Sequence, residues 1–135
     1  MEPDARSKLI TEFVNRRVWA VVGASQDPAK FGYRVYLSLR DAGYTVYAVN
    51  PRGGELLGEA IYPTLADLPQ RPEVVDTVVP PPVTEQIVRD MKSLGLSRVW
   101  MQPGSESKAA IAYCEEQGIE VVHDACAMVH KRRWA

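Results

Sequence analysis

The chain has 135 residues, 46% of them hydrophobic and 24% charged, with a formal net charge of −1. That is enough for one domain with a real core and too few for two. The near-neutral balance gives no global drive toward nucleic acid or an anionic membrane, so neither is expected as a partner, and any bound anion must be held by a local site.

Ala5, Leu9, Ile10, Phe13 and Val14 recur at helical spacing, which predicts an amphipathic helix over roughly the first 15 residues. The run "VWAVVGAS" follows, short, rich in Val and ending in Gly, the pattern of a strand buried on both faces. After a polar loop, Val35, Tyr36 and Leu39 mark a helix that stops at Gly43, and "TVYAVN" is a second strand. "GGELLGEAIYPTLADLP" reads as a long glycine-bearing connection, with Thr64 capping a single helical turn that Pro69 closes. "VVDTVV" is a third strand, and the next helix carries Ile87, Val88, Met91 and Leu94 on one face, with Thr84 as its expected N-cap. "SRVWMQ" is a fourth strand, Ser105 to Gln117 a helix ending at Gly118, and "IEVVH" a fifth strand. Strands alternate with helices throughout. The expectation is an α/β domain: a Rossmann-like, doubly wound parallel sheet of five strands with helices on both faces and right-handed crossovers.

In such sheets the ligand crevice lies beyond the carboxyl ends of the strands, where strand order reverses. That rule selects the residues after each strand. In "VVGASQDPAKFGYRV", Gly23 permits a tight turn, Gly32 permits close backbone approach at the helix start, and Lys30 adds a cation. Exposed N–H groups at a helix start suit a phosphate. The spacing is neither G-x-G-x-x-G nor a P-loop. The second tip is Asn50-Pro51-Arg52, where a dinucleotide site would carry an acid to accept from a ribose hydroxyl. Arg52 favours a phosphorylated ribose instead, and both NADP and coenzyme A fit. The third tip, Val79-Pro80-Pro81, has too few N–H donors to extend a strand and offers a stiff apolar wall for an adenine ring.

Catalytic and metal signals are thin. His123 and His130 are the two histidines, and no H-x-x-E-H, C-x-x-C or G-x-S-x-G spacing occurs. His123 is expected to end a strand, and Cys126 stands near a possible helix start. Two cysteines, Cys114 and Cys126, are too few for a disulfide framework, and no segment resembles a signal peptide or a membrane span. A reducing, cytoplasmic setting is expected.

Taken in order, "VVGASQDPAKFGYRV", "YAVNPRGGELLGEAIYPTLADLP", "VVDTVVPPPV", "VWMQPGSES" and "VVHDACAMVHKRRW" resemble the small stand-alone CoA-binding proteins. These share the CoA-binding domain of the succinyl-CoA synthetase α-subunit. The resemblance covers nearly everything after Arg17 and implies a module that binds coenzyme A or a short acyl-CoA without a reaction of its own. It places the phosphate loop on Gly23, Ala24, Ser25, Lys30, Phe31, Gly32 and Tyr33. The nucleotide-end contacts fall on Asn50, Pro51 and Arg52, and the adenine wall on Val79, Pro80 and Pro81, with Gln102 added from the fourth tip. Relatives often carry Phe-Arg where this chain has Val78-Val79, and an Arg and a Glu where it has Ala125 and Val129. An NADP-dependent reductase or a nucleotide-binding redox sensor are the alternatives; the first lacks a substrate domain and the second a helix-turn-helix region.

Overall fold

The structure is a computed structural model that describes residues 4–134. Helix α1 spans Ala5–Val14, opened by Asp4, whose carboxylate accepts from the Ser7 amide at 2.7 Å. The first three residues, which the expected helix included, lie outside the described residues. Strand β1 (Val18–Val22) leads to α2 (Phe31–Asp41) and β2 (Thr45–Val49). Then come β3 (Glu55–Leu56), β4 (Glu59–Tyr62), a 3-10 turn at Leu65–Asp67 and β5 (Val74–Thr77). Helix α3 (Pro81–Leu94), β6 (Arg98–Met101), α4 (Lys108–Gln117), β7 (Glu120–Val122) and α5 (Ala127–His130) complete the order.

Among the described residues one sheet forms in the order β3-β4-β2-β1-β5-β6-β7. Every pairing is parallel except β3 with β4. Strand order reverses between β1 and β5, which fixes the switch point of this doubly wound α/β fold. The sheet has seven strands, two more than the sequence suggests. The addition is a hairpin inside the supposed long connection, closed by Leu57 (φ 52°) and Gly58 (φ 83°). Tight hairpin turns need positive φ at both central residues and usually announce themselves as Asn-Gly or Asp-Gly. A leucine at the first of these positions conceals the turn.

Two further boundaries differ from expectation. Thr84 lies inside α3 and is buried, because Pro81 opens the helix: its fixed φ suits the first turn and its missing N–H costs nothing there. The Thr84 hydroxyl instead meets Ser105 Oγ at 2.8 Å. Helix α4 begins at Lys108, after Ser107 caps it by accepting from the Ala110 amide at 3.2 Å.

Both faces of the sheet are covered. On one, Phe13, Trp19, Tyr36 and Trp100 pack under α1, α2 and α5; on the other, Val75, Val88, Met91 and Met101 lie beneath α3 and α4. Trp19 and Trp100 are core residues, their rings 5.7 Å apart, and each indole N–H donates to a backbone carbonyl, of Arg16 and Ala125 respectively. Buried aromatic rings with a satisfied polar tip anchor a core well. The basic run near the end is held too: Arg132 lies 4.1 Å over the Trp134 ring and donates to Asn15 at 3.1 Å.

Candidate functional site

The loop after β1 crosses the sheet at its tightest point. Gly23 has φ 101° and donates its N–H to Val49 at 2.9 Å. A Cβ on Gly23 would overlap the Val78 carbonyl, and one on Gly32 would overlap the Gly23 carbonyl. The first turn of α2 therefore sits on the loop, and the loop sits on the exit of β5. This revises the expected role of Gly32: it makes room for the chain's own backbone rather than for a ligand.

The rest of the loop folds on itself. Ser25 Oγ accepts from the Asp27 amide at 3.1 Å, and Asp27 Oδ1 accepts from the Ala29 amide at 2.9 Å. Lys30 is the N-cap of α2 and supplies no side-chain cap. Among the described residues no side chain accepts from the first amides of the helix, Phe31 to Tyr33, which leaves donors and a positive helix end facing the loop.

Asn50, at the tip of β2, is a fastener. Its Nδ2 donates to the Ala24 carbonyl at 3.0 Å and its Oδ1 accepts from the Arg52 amide at 3.0 Å. One amide thus ties the first loop to the second and shapes the turn that projects Arg52. Gln26 makes a second tie, donating to the Glu55 carbonyl at 2.5 Å.

Between these loops lies an open groove of about 670 Å³. Of the residues expected from sequence, Gly23, Ala24, Ser25 and Lys30 line one wall, Asn50 and Arg52 the second, and Val79 and Pro80 the third. Phe31 and Tyr33 turn partly into the core, and Pro51 is exposed on the outside of its turn. Pro81 is the first residue of α3 and is not part of the lining. Sequence reasoning missed Gln26, Asp27, Gly53, Ile61 and Val78. Gly53 and Ile61 belong to the turn and hairpin that the glycine-rich connection hid; Gln26 and Asp27 sat inside the quoted loop without a distinguishing signal. Among the described residues neither Lys30 nor Arg52 enters an ion pair.

Gln102 is a correction. It is fully buried, and its amide is committed: Nε2 donates to both Asp76 carboxylate oxygens at 2.9 Å, while Oε1 accepts from the Ala127 amide at 3.2 Å. It joins β5, β6 and the start of α5 below the groove and does not line it. His123, just past β7, has Nδ1 2.5 Å from Asp124 Oδ2, and Asp124 takes the left-handed conformation. Cys126 is the N-cap of α5 and also stands outside the groove lining.

Asp76 itself yields a pH test. Complete burial raises its carboxyl well above the usual 3.8, opposed in part by the Gln102 amide. The native chain then holds a proton that the unfolded chain releases first, so stability is greatest below the unfolded pKa and falls as pH rises toward the folded one. Asp76→Asn keeps the shape without a titratable proton, but leaves one oxygen to accept from Gln102 Nε2 where the carboxyl offers two. Urea unfolding should show wild type losing stability relative to the variant as pH rises above about 4, so that the difference between them moves steadily in the variant's favour. Parallel pH profiles would mean that Asp76 is not a proton-holding group.

The family profile for the CoA binding domain matches residues 17–132. The chain belongs to that family. The CoA binding domain match takes in every strand and the whole groove and leaves α1 outside. The chain is 30% identical over 122 residues to the acetate–CoA ligase (ADP-forming) II subunit alpha of Pyrococcus furiosus, covering 85% of this chain and 26% of that one. It is 28% identical over 120 residues to acetate–CoA ligase (ADP-forming) I of Archaeoglobus fulgidus, covering 82% and 18%. It thus spans about a quarter or less of the length of these ligase relatives. Among solved structures, a hypothetical protein from Pyrococcus horikoshii OT3 superposes with a TM-score of 0.87 at 32% identity, covering 96% of both chains.

Proposed function

We propose that the groove binds coenzyme A or a short acyl-CoA as a binding or regulatory module with no reaction of its own. The observation that carries this reading is the pair of uncommitted cations, Lys30 and Arg52, on two walls of one groove beside an uncapped helix start. The pyrophosphate would lie against the α2 amides and Lys30, the 3′-phosphate against Arg52, and the adenine against Val79 and Pro80. At the tip of β2 an Asn serves the backbone and an Arg faces the groove, so the acid that would grip a free ribose diol is missing there. Asp27 does line the groove, but one of its oxygens is taken by the Ala29 amide. The ligase relatives are named for reactions that consume or form CoA thioesters, which favours CoA over NADP. Free thiols at Cys114 and Cys126 suit the reducing cytoplasm.

Native mass spectrometry of the freshly purified protein should show a co-purifying species of CoA or acyl-CoA mass. Calorimetry should rank CoA above NADP by at least about tenfold, the margin of one misplaced charge-assisted contact. Tighter binding of NADP would transfer the site to the reductase reading.

A further inference from the structure

The loop that carries Lys30 and the turn that carries Arg52 meet at one side chain. Asn50 follows β2, which lies between β1 and β4. Its own backbone is pinned: the Asn50 N–H donates to the Tyr62 carbonyl at 2.9 Å, and the Gly23 N–H holds the Val49 carbonyl just before it, also at 2.9 Å. From this fixed base the carboxamide works in two directions. Nδ2 donates to the Ala24 carbonyl and Oδ1 accepts from the Arg52 amide, both at 3.0 Å.

The two bonds do different things. Ala24 is fully buried and no other described group donates to its carbonyl, so without the Asn50 amide a buried acceptor would be left unpaired. The Arg52 bond is exposed and reinforces a turn already closed by the Gly53 N–H, which donates to the Asn50 carbonyl at 2.9 Å. What it adds is a fixed orientation for the peptide from which Arg52 projects. A carboxylate at this position could accept from Arg52 but has no hydrogen to give to Ala24. An acid there would cut the link between the loops. Gln26 also ties them, at the Glu55 carbonyl, but that bond is exposed and water competes for it.

We propose that Asn50 is the positioning residue that selects a ligand with two separated phosphate groups, by holding the first loop and Arg52 at one spacing. This rests on the reading that the groove takes CoA, whose pyrophosphate and 3′-phosphate are the two groups. Asn50 acts through the backbone of Ala24 and Arg52. A spacing set before the ligand arrives removes the need to order each subsite on binding, so a ligand that fits both gains from both at once.

Two neutral variants take the bonds apart. Asn50→Ala removes both. Asn50→Ser is too short to reach Ala24, yet its hydroxyl can accept from the Arg52 amide, as serine does in turns. Asn50 is only half-buried, so both variants should fold, which urea unfolding checks. Calorimetry then compares the three proteins with CoA and dephospho-CoA. Both variants should bind both ligands at least about threefold more weakly, because the Ala24 tie is lost. The preference for CoA over dephospho-CoA should persist in Asn50→Ser and shrink at least about threefold in Asn50→Ala. Without ligand, hydrogen exchange at the Arg52 amide should be faster in Asn50→Ala than in wild type or Asn50→Ser. A preference unchanged in Asn50→Ala would overturn the positioning role and leave the CoA reading standing. So would a preference lost equally in both variants, the result of a direct contact between Asn50 and the 3′-phosphate. A wild type with no preference for CoA would overturn the selectivity together with the reading of the groove beneath it.

Discussion

Gly32→Ala should sharply lower the urea midpoint of this protein, and Gly32→Val should leave little native protein to measure. The added Cβ would lie inside the contact distance of the Gly23 carbonyl. Relaxation is blocked on the far side, since Gly23 is itself pressed against the Val78 carbonyl and Val79, where a Cβ would meet Cγ1 at 2.8 Å. The obstacle is backbone, not the end of a flexible side chain. Overpacking of this kind costs about 1–3 kcal/mol and sometimes more, against a total stability of about 5–15 kcal/mol. Gly58→Ala is the control: nothing lies within 4 Å of its Cβ, so only its φ of 83° is strained. That conformational cost is about 1–2 kcal/mol. Tryptophan fluorescence in urea separates the two, because Trp19 and Trp100 lie in the core under α2. Equal midpoints for wild type and Gly32→Ala would show that α2 can lift off the loop.

Arg52 calls for the opposite behaviour, a large change in affinity with the fold intact, as its side chain is exposed. If its guanidinium meets the 3′-phosphate, dephospho-CoA should bind more weakly than CoA by about tenfold to somewhat over a hundredfold. That range corresponds to a charge-assisted hydrogen bond of roughly 1.5–3 kcal/mol. Arg52→Ala should weaken CoA by the same factor and leave dephospho-CoA nearly unchanged, because that ligand never used the side chain. Salt should narrow the gap, since exposed charges are screened. Calorimetry on two proteins and two ligands completes the cycle. Equal losses for both ligands would place Arg52 on some other part of the molecule.

The strands that carry the groove were legible because buried parallel strands leave short apolar runs; "VWAVV" ends at Gly23 as expected, whereas the strand expected over "VVDTVV" stops at Thr77, two residues short of the prolines. Local signals of that kind also found Lys30 and Arg52. What the sequence concealed was partnership at a distance. Nothing near Asn50 announces that its amide will hold the Ala24 carbonyl, 26 residues away. Nothing in "WMQPG" says that Gln102 turns inward to Asp76 instead of outward to the groove. The close approach at Gly32 is to Gly23, which only the folded chain brings beneath it. The hairpin escaped because Leu57 occupies a backbone conformation that leucine seldom adopts.

The two sides of the groove differ in how firmly they are mounted. Gly23 and Val78 immediately follow adjacent central strands, locked by glycine contacts too close for any side chain. Ile61, opposite them, rides on a hairpin that meets β2 through two residue pairs and the Asn50 amide, and meets the first loop through the Gln26 tie. Elements with few ladder bonds open at a fraction of the global unfolding cost. The groove is therefore a jaw with one fixed and one compliant side. A ligand too bulky for it would be admitted by bending the hairpin outward, while the loop after β1 and α2 hold their shape.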